Sequence, residues 1–170
     1  MNNHSVFVDT GAWIACMDKG DVYHNSAVSY LNEIRKKNIP LITSNYVIDE
    51  TLTWLNYHNL HKKALTAMEL WKEAEQDKLL KIYWIDDGIS KKAWEIYCNF
   101  SDQKLSFTDC TSFAICKELG VQKVFGFDKH FNVLGFLLSP YQVHEDKMGY
   151  EVLQPANQEC SGGRSFLLKS

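Results

Sequence analysis

No run of apolar residues in this chain approaches the ~18 that a membrane-spanning helix needs, which excludes a bilayer as its organising solvent. Basic residues are not in excess either: 18 Lys and Arg stand against 21 Asp and Glu, a formal net charge of −3. No global positive field therefore announces a polyanionic partner, although a metal site can still bind phosphate locally. Met1-Asn2-Asn3-His4-Ser5 carries no Lys or Arg, and Asp9 interrupts the apolar run that follows, so no signal peptide is expected. The five cysteines (Cys16, Cys98, Cys110, Cys116, Cys160) are odd in number and scattered, with no CxxC pair or zinc spacing. They read as free thiols in a reducing cytosol, and the expected location is cytoplasmic.

What is present suits one globular domain. The 170 residues suffice for a real core, and 45% hydrophobic with 23% charged residues is ordinary composition. Short apolar runs alternate with stretches of helical period. The runs at residues 5–8, 41–43, 81–85 and 123–127 read as strands, with a further one at 133–138. Helices are expected over residues 10–17, 24–37, 45–57, 62–77, 89–99 and 108–119, the last closed by Gly120. The strands lack polar alternation, which argues for burial on both faces in a parallel sheet. The expected fold is α/β, a three-layer α/β/α arrangement around a central, mostly parallel sheet of four to five strands. Residues 1–140 form this domain. Residues 141–170 change character around Ser161-Gly162-Gly163 and read as a partly disordered C-terminal appendage, in which Gly149-Tyr150-Glu151-Val152-Leu153 is a candidate edge strand.

Four acids stand out against this frame. Asp9 ends the run Val6-Phe7-Val8, and Asp128 ends Val124-Phe125-Gly126-Phe127. In open parallel sheets, ligands bind beyond the carboxyl ends of the strands, where both lie. Glu50 falls with Tyr46, Trp54 and Tyr57 on an aromatic arc of its helix, whereas Asp49 falls with Asn45, Thr53 and Asn56 on a polar face. Asp109 projects with Phe113, Cys116 and Leu119. Each acid also has a plain structural role open to it: Asp9 as a helix N-cap, Thr108 or Asp109 as another, Ser44 or Asn45 as the cap before Glu50, Asp128 as a turn residue, and Glu50 as a side chain reaching solvent. Asp18, Asp21, Asp86, Asp87 and Asp102 lie in loops and read as solvated.

Four converging carboxylates repel one another and lose hydration, which a divalent cation offsets. Mg2+ prefers carboxylate and water oxygens, and Mn2+ is a workable substitute. Such ions clamp the attacking and leaving oxygens of an in-line displacement at phosphorus. The expectation is thus a magnesium- or manganese-dependent phosphodiesterase with Asp9, Glu50, Asp109 and Asp128 as catalytic metal ligands. The hydroxyls of Thr10, Ser44 and Thr108 stand beside these acids and are expected to orient them. Lys129 is the favoured phosphate contact, with His130 assisting. A phosphatase using Asp9 as nucleophile, in its common form, wants a second Asp two residues on, where Gly11 stands. A receiver domain wants an acidic pair at the end of the first strand, where only Asp9 stands.

Val6-Phe7-Val8-Asp9-Thr10, Thr43-Ser44-Asn45-Tyr46-Val47-Ile48-Asp49-Glu50, Leu105-Ser106-Phe107-Thr108-Asp109 and Phe125-Gly126-Phe127-Asp128-Lys129-His130-Phe131 resemble the successive motifs of the PIN domain, most closely those of VapC-type ribonuclease toxins and their stand-alone relatives. The resemblance runs from Val6 to Pro140. It implies a PIN-like sheet flanked by helices and a metal-dependent endoribonuclease acting on RNA. The family's acids match Asp9, Glu50, Asp109 and Asp128, and its motif hydroxyl matches Thr108. For the toxin branch it implies a homodimer and an antitoxin protein that blocks the site, as in a type II toxin–antitoxin pair. The 30-residue tail departs from the pattern. The competing reading is a non-catalytic RNA- or protein-binding module of the same fold.

Overall fold

The computed structural model describes residues 5–140. The expected appendage at 141–170, its candidate edge strand and Cys160 lie outside these residues. Among the described residues, five strands and seven helices succeed one another. Strand β1 (Val6–Val8) leads into α1 (Thr10–Met17) and α2 (His24–Lys36). Then β2 (Leu41–Ser44) leads into α3 (Asn45–Tyr57) and α4 (His61–Gln76). β3 (Leu80–Tyr83) precedes α5 (Asp87–Asn99) and α6 (Phe107–Leu119). β4 (Lys123–Phe125), α7 (His130–Val133) and β5 (Leu137–Ser139) complete the fold.

The sheet is entirely parallel, in the order β3-β2-β1-β4-β5. Helices flank it in the three-layer α/β/α arrangement anticipated from the apolar strands. β1 is central and fully buried, with Val6 opposite both Leu41 and Lys123. The chain builds outward from β1 to β3 on one side, then returns to build β4 and β5 on the other. The direction of winding therefore reverses between β1 and β4, and the crevice beyond their carboxyl ends is where such sheets bind ligands.

Local chemistry explains most boundaries. The Ser44 hydroxyl accepts from the Val47 amide at 3.1 Å and caps α3. Asn59 ends the turn after α3 at φ 60°, a conformation that asparagine tolerates. Gly120 closes α6 at φ 65° and donates back to the Lys117 carbonyl.

Three expectations are corrected. The fifth strand foreseen at 133–138 is present but confined to β5, and Val133 is instead the last residue of the short helix α7. Asp128 starts that helical turn by accepting from the His130 amide at 2.9 Å, and Phe131 and Phe136 are buried together against Phe113. The strand foreseen at 81–85 is β3, one residue earlier and shorter, because the Ile85 amide leaves the ladder for the Asn45 side chain at 2.9 Å. The N-cap of α6 is neither Thr108 nor Asp109 but Ser106, two residues ahead of Thr108, with the Asp109 side chain completing a capping box.

The ring cluster Phe113–Phe131–Phe136 fixes α7, and with it the loop bearing Asp128, onto α6. Phe131→Ala leaves a buried cavity there and is expected to lower unfolding stability by about 3–5 kcal/mol in urea titration. A loss under 1 kcal/mol would mean that this cluster does not anchor the loop.

Candidate functional site

Asp9 leaves β1 directly into the crevice. Its amide donates to the Phe125 carbonyl of β4 at 2.9 Å, and its carbonyl accepts from Ala12 and Trp13 in the first turn of α1. Behind it runs a buried relay: the Trp13 indole donates to Thr43 Oγ1 at 3.3 Å, and Thr43 donates to the Val8 carbonyl at 2.9 Å. The relay locks β1, β2 and α1 around the residue preceding Asp9. Gly126 covers the other flank. A Cβ there would stand 3.2 Å from the Asp9 Cβ, so a larger residue displaces the acid. Asp9 occupies the N-cap position without a full capping hydrogen bond, yet the amides of Thr10 and Gly11 approach its carboxylate and partly oppose the rise in its pKa.

Glu50 enters from α3. Its Oε2 accepts from Thr10 Oγ1 at 2.6 Å, a charge-assisted bond across 40 residues of sequence. Asp49 is exposed on the neighbouring face. The aromatic arc expected around Glu50 is not a buried surface: Tyr57 is 80% exposed, Tyr46 lies at the surface, and the buried stripe of α3 is Val47, Ile48, Thr51 and Leu55. Glu50 sits at the edge of that stripe, half-buried.

Asp109 enters from α6 through a reciprocal cap. The Ser106 amide donates to Asp109 Oδ2 at 2.7 Å, and the Asp109 amide donates to Ser106 Oγ at 3.0 Å. The Thr108 carbonyl accepts from the hydroxyls of Thr111 and Ser112 at 2.8 and 3.0 Å, which stiffens this first turn. Asp128 follows β4, and its Oδ1 accepts from the His130 amide. His130 Nδ1 lies 2.7 Å from the same oxygen, an ion-pairing approach without hydrogen-bond geometry. Lys129 is exposed beside it. Ser44 is buried as the α3 cap. Three of the acids read as solvated loop residues do more: Lys63 pairs with Asp18 at 3.3 Å, Asp86 caps α5 by accepting from the Ile89 amide at 2.8 Å, and Asp87 is the first residue of that helix.

Electrostatics tie the four acids together. Burial pushes the Asp9 carboxyl from 3.8 up to about 7, and the charges of Asp109 and then Glu50 push in the same direction. Asp109 is likewise raised, first by burial and further by Asp128. The two Ser106 bonds and His130 oppose this. Nothing cationic enters the balance on Asp9. A buried carboxylate among like charges is costly unless a cation compensates it. The donors are all carboxylate oxygens, the set that a hard divalent ion takes. Among the described residues no three His, Cys, Asp or Glu side chains already stand close enough to hold an ion. Glu50, Asp109 and Asp128 each commit one oxygen to a protein donor, and a carboxylate has a second for another partner. This donor set fits a divalent cation beside Asp9.

Ser106, Thr43 and Gly126 escaped the reading of the sequence. Ser106 had a signal, because Ser106-Phe107-Thr108-Asp109 has the Ser-x-x-acid spacing of a capping box. Thr43 and Gly126 carry none, since their roles come from contacts across strands.

Residues 6–137 match the family described as PIN domain. The 23S rRNA-specific endonuclease VapC20 of Mycobacterium tuberculosis is 30% identical over 133 residues, covering 78% of this chain and 95% of that protein. A VapC ribonuclease of Archaeoglobus fulgidus is 28% identical over 131 residues, 76% of this chain and 80% of the relative. The crystal structure of VapC20, titled a sarcin–ricin loop cleaving toxin, superposes with a TM-score of 0.67 at 29% identity. It covers 78% of this chain and 96% of the other.

The cost of burying Asp9 has a measurable sign. Its carboxyl is raised on folding, so its contribution is fully present below pH ~4 and is lost as pH rises through about 7. The whole span corresponds to about 4 kcal/mol. In chelator, the thermal midpoint of the wild type is expected to fall between pH 5 and 8, and Asp9→Asn to abolish most of that fall. Parallel pH profiles for the two proteins would contradict the burial argument.

Proposed function

The chain belongs to the PIN-domain family, on its VapC-type ribonuclease branch, and from that premise we propose that it is a magnesium- or manganese-dependent endoribonuclease. Asp9, Glu50, Asp109 and Asp128 would hold the ion. The observation that carries this is the Asp9 carboxylate, raised first by burial and then by the charges of Asp109 and Glu50, with no cationic side chain in the balance. When bound, the cation supplies charge neutralisation, polarisation of the phosphodiester and an activated water.

The protein's own groups do the rest. Thr10 fixes the Glu50 carboxylate through its 2.6 Å bond, and Ser106 fixes Asp109. The His130 amide fixes Asp128. Ser44 sets the register of α3, and hence the position of Glu50, by capping it. Thr108 stiffens the turn that carries Asp109 through its carbonyl. Lys129, exposed beside Asp128, would meet a phosphate of the incoming strand. Phosphates need not be drawn by a general positive field, since the chain is acidic overall.

Residues 1–140 are assigned to the nuclease domain and 141–170 to a C-terminal appendage. No helix among the described residues is long and apolar enough to cross a membrane, and we assign the protein to the cytoplasm. By analogy with VapC toxins, we assign it the toxin role in a type II pair, with an antitoxin partner and a homodimeric state. The sarcin–ricin loop named for VapC20 is the first RNA to try.

Purified protein is expected to cut RNA with Mg2+ or Mn2+ and to stop in chelator. Asp9→Asn and Asp109→Asn each abolish cutting while circular dichroism stays native. Thr10→Val, which releases Glu50, lowers activity by about 10–100-fold. Ion binding without hydrolysis in the wild type would instead favour a non-catalytic RNA- or protein-binding module. Cutting that survives in the Asp9→Asn/Asp109→Asn double variant would refute the assignment of the acids.

A further inference from the structure

A row of aromatic rings crosses α3, α6 and α5. Tyr46 stands one helical turn before Glu50 on α3, and its ring meets Phe107 at 6.4 Å between centroids. Phe107 opens α6 two residues before Asp109. Tyr97 of α5 meets Phe107 edge-on at 6.3 Å, and Trp94, one turn earlier, stacks on Tyr97 at 5.7 Å with the planes 20° apart. The outer rings are not core: Trp94 is 58% and Tyr97 44% exposed. Beside them Ser90, Lys91, Trp94, Glu95 and Phe107 line an open hollow of about 370 Å³, within the size range of ligand sites.

We propose that Trp94, Tyr97, Phe107 and Tyr46 form a base-stacking track that holds single-stranded RNA beside the acid site. This rests on the ribonuclease reading and adds how the substrate is gripped. Three observations select RNA as the occupant. The track ends at Tyr46, which stands one helical turn from Glu50 on α3. Its flat faces accept any base, as unpaired strands require. Lys91 brings one positive charge to the hollow, where Glu95 offsets it, so ring faces rather than charge must carry the affinity. That matches a chain of net charge −3, which gains little from phosphate attraction. Exposed aromatics grouped this way are costly to solubility unless they serve a contact.

The test is steady-state cleavage of a single-stranded oligoribonucleotide by the full-length chain, with sedimentation velocity on the same samples. Trp94→Ala and Tyr97→Ala each raise KM by about tenfold, the loss falling on KM rather than kcat, and Trp94→Phe restores most of it. The oligomeric state does not change. Unchanged KM in both alanine variants overturns the proposal. So does a shift to a smaller species, which would make the patch an interface between copies of the chain. If the wild type cuts no RNA with Mg2+ or Mn2+, the ribonuclease reading itself fails. Quenching of tryptophan fluorescence by the same oligonucleotide, lost in Trp94→Ala, then still decides the track: its presence supports stacking and its absence refutes it.

Discussion

A carboxylate buried at the end of the central strand is the constraint that the site is built around. Asp9 cannot move without breaking the hydrogen bond from its amide to the Phe125 carbonyl or the first turn of α1, and Gly126 closes the space beside it. Hydration is lost and two neighbouring acids oppose its charge. An isolated buried ion is one of the most expensive features a core can carry. Such a cost is tolerated where strain serves chemistry, and the crevice between β1 and β4 is where this sheet topology binds its ligands.

Asp109 and Glu50 act on Asp9 and Asp128 acts on Asp109, and each of these three acids has one protein donor. Thr10, in the residue next to Asp9, reaches across to Glu50. Ser106 braces Asp109 in a reciprocal cap, and the His130 amide braces Asp128. Helix capping and acid orientation are thus the same interaction at Asp109, not rival explanations of it. The raised thiols of Cys110 and Cys116 register the same negative environment, with Asp109 and Asp9 respectively adding to burial. Burial thus favours the protonated form of both thiols.

The architecture was legible because a doubly covered parallel strand has to be apolar throughout, and Val6-Phe7-Val8 or Leu41-Ile42-Thr43 can hardly be anything else. Asp9 and Asp128 were legible as strand-end acids for the same reason. Legibility stopped where side chains from distant segments decide the outcome. Residues 133–138 have strand-like composition, yet Phe113 draws Phe131 and Phe136 together and turns the start of the segment into α7. Helical periodicity placed Glu50 on an aromatic arc correctly. It could not tell that the arc faces outward, because nothing in α3 reveals that Val47, Thr51 and Leu55 take the core side. Nor does the periodicity reveal that Tyr46 meets Phe107 at one end of a row of rings whose far members, Trp94 and Tyr97, are exposed.

Whether the four acids serve one cation is decided most directly by anomalous diffraction from crystals grown with Mn2+. The account predicts a single manganese centre, of one or two ions, bounded by Asp9, Glu50, Asp109 and Asp128. A crevice without manganese, or an ion held elsewhere with Glu50 turned away from Asp9, would contradict it.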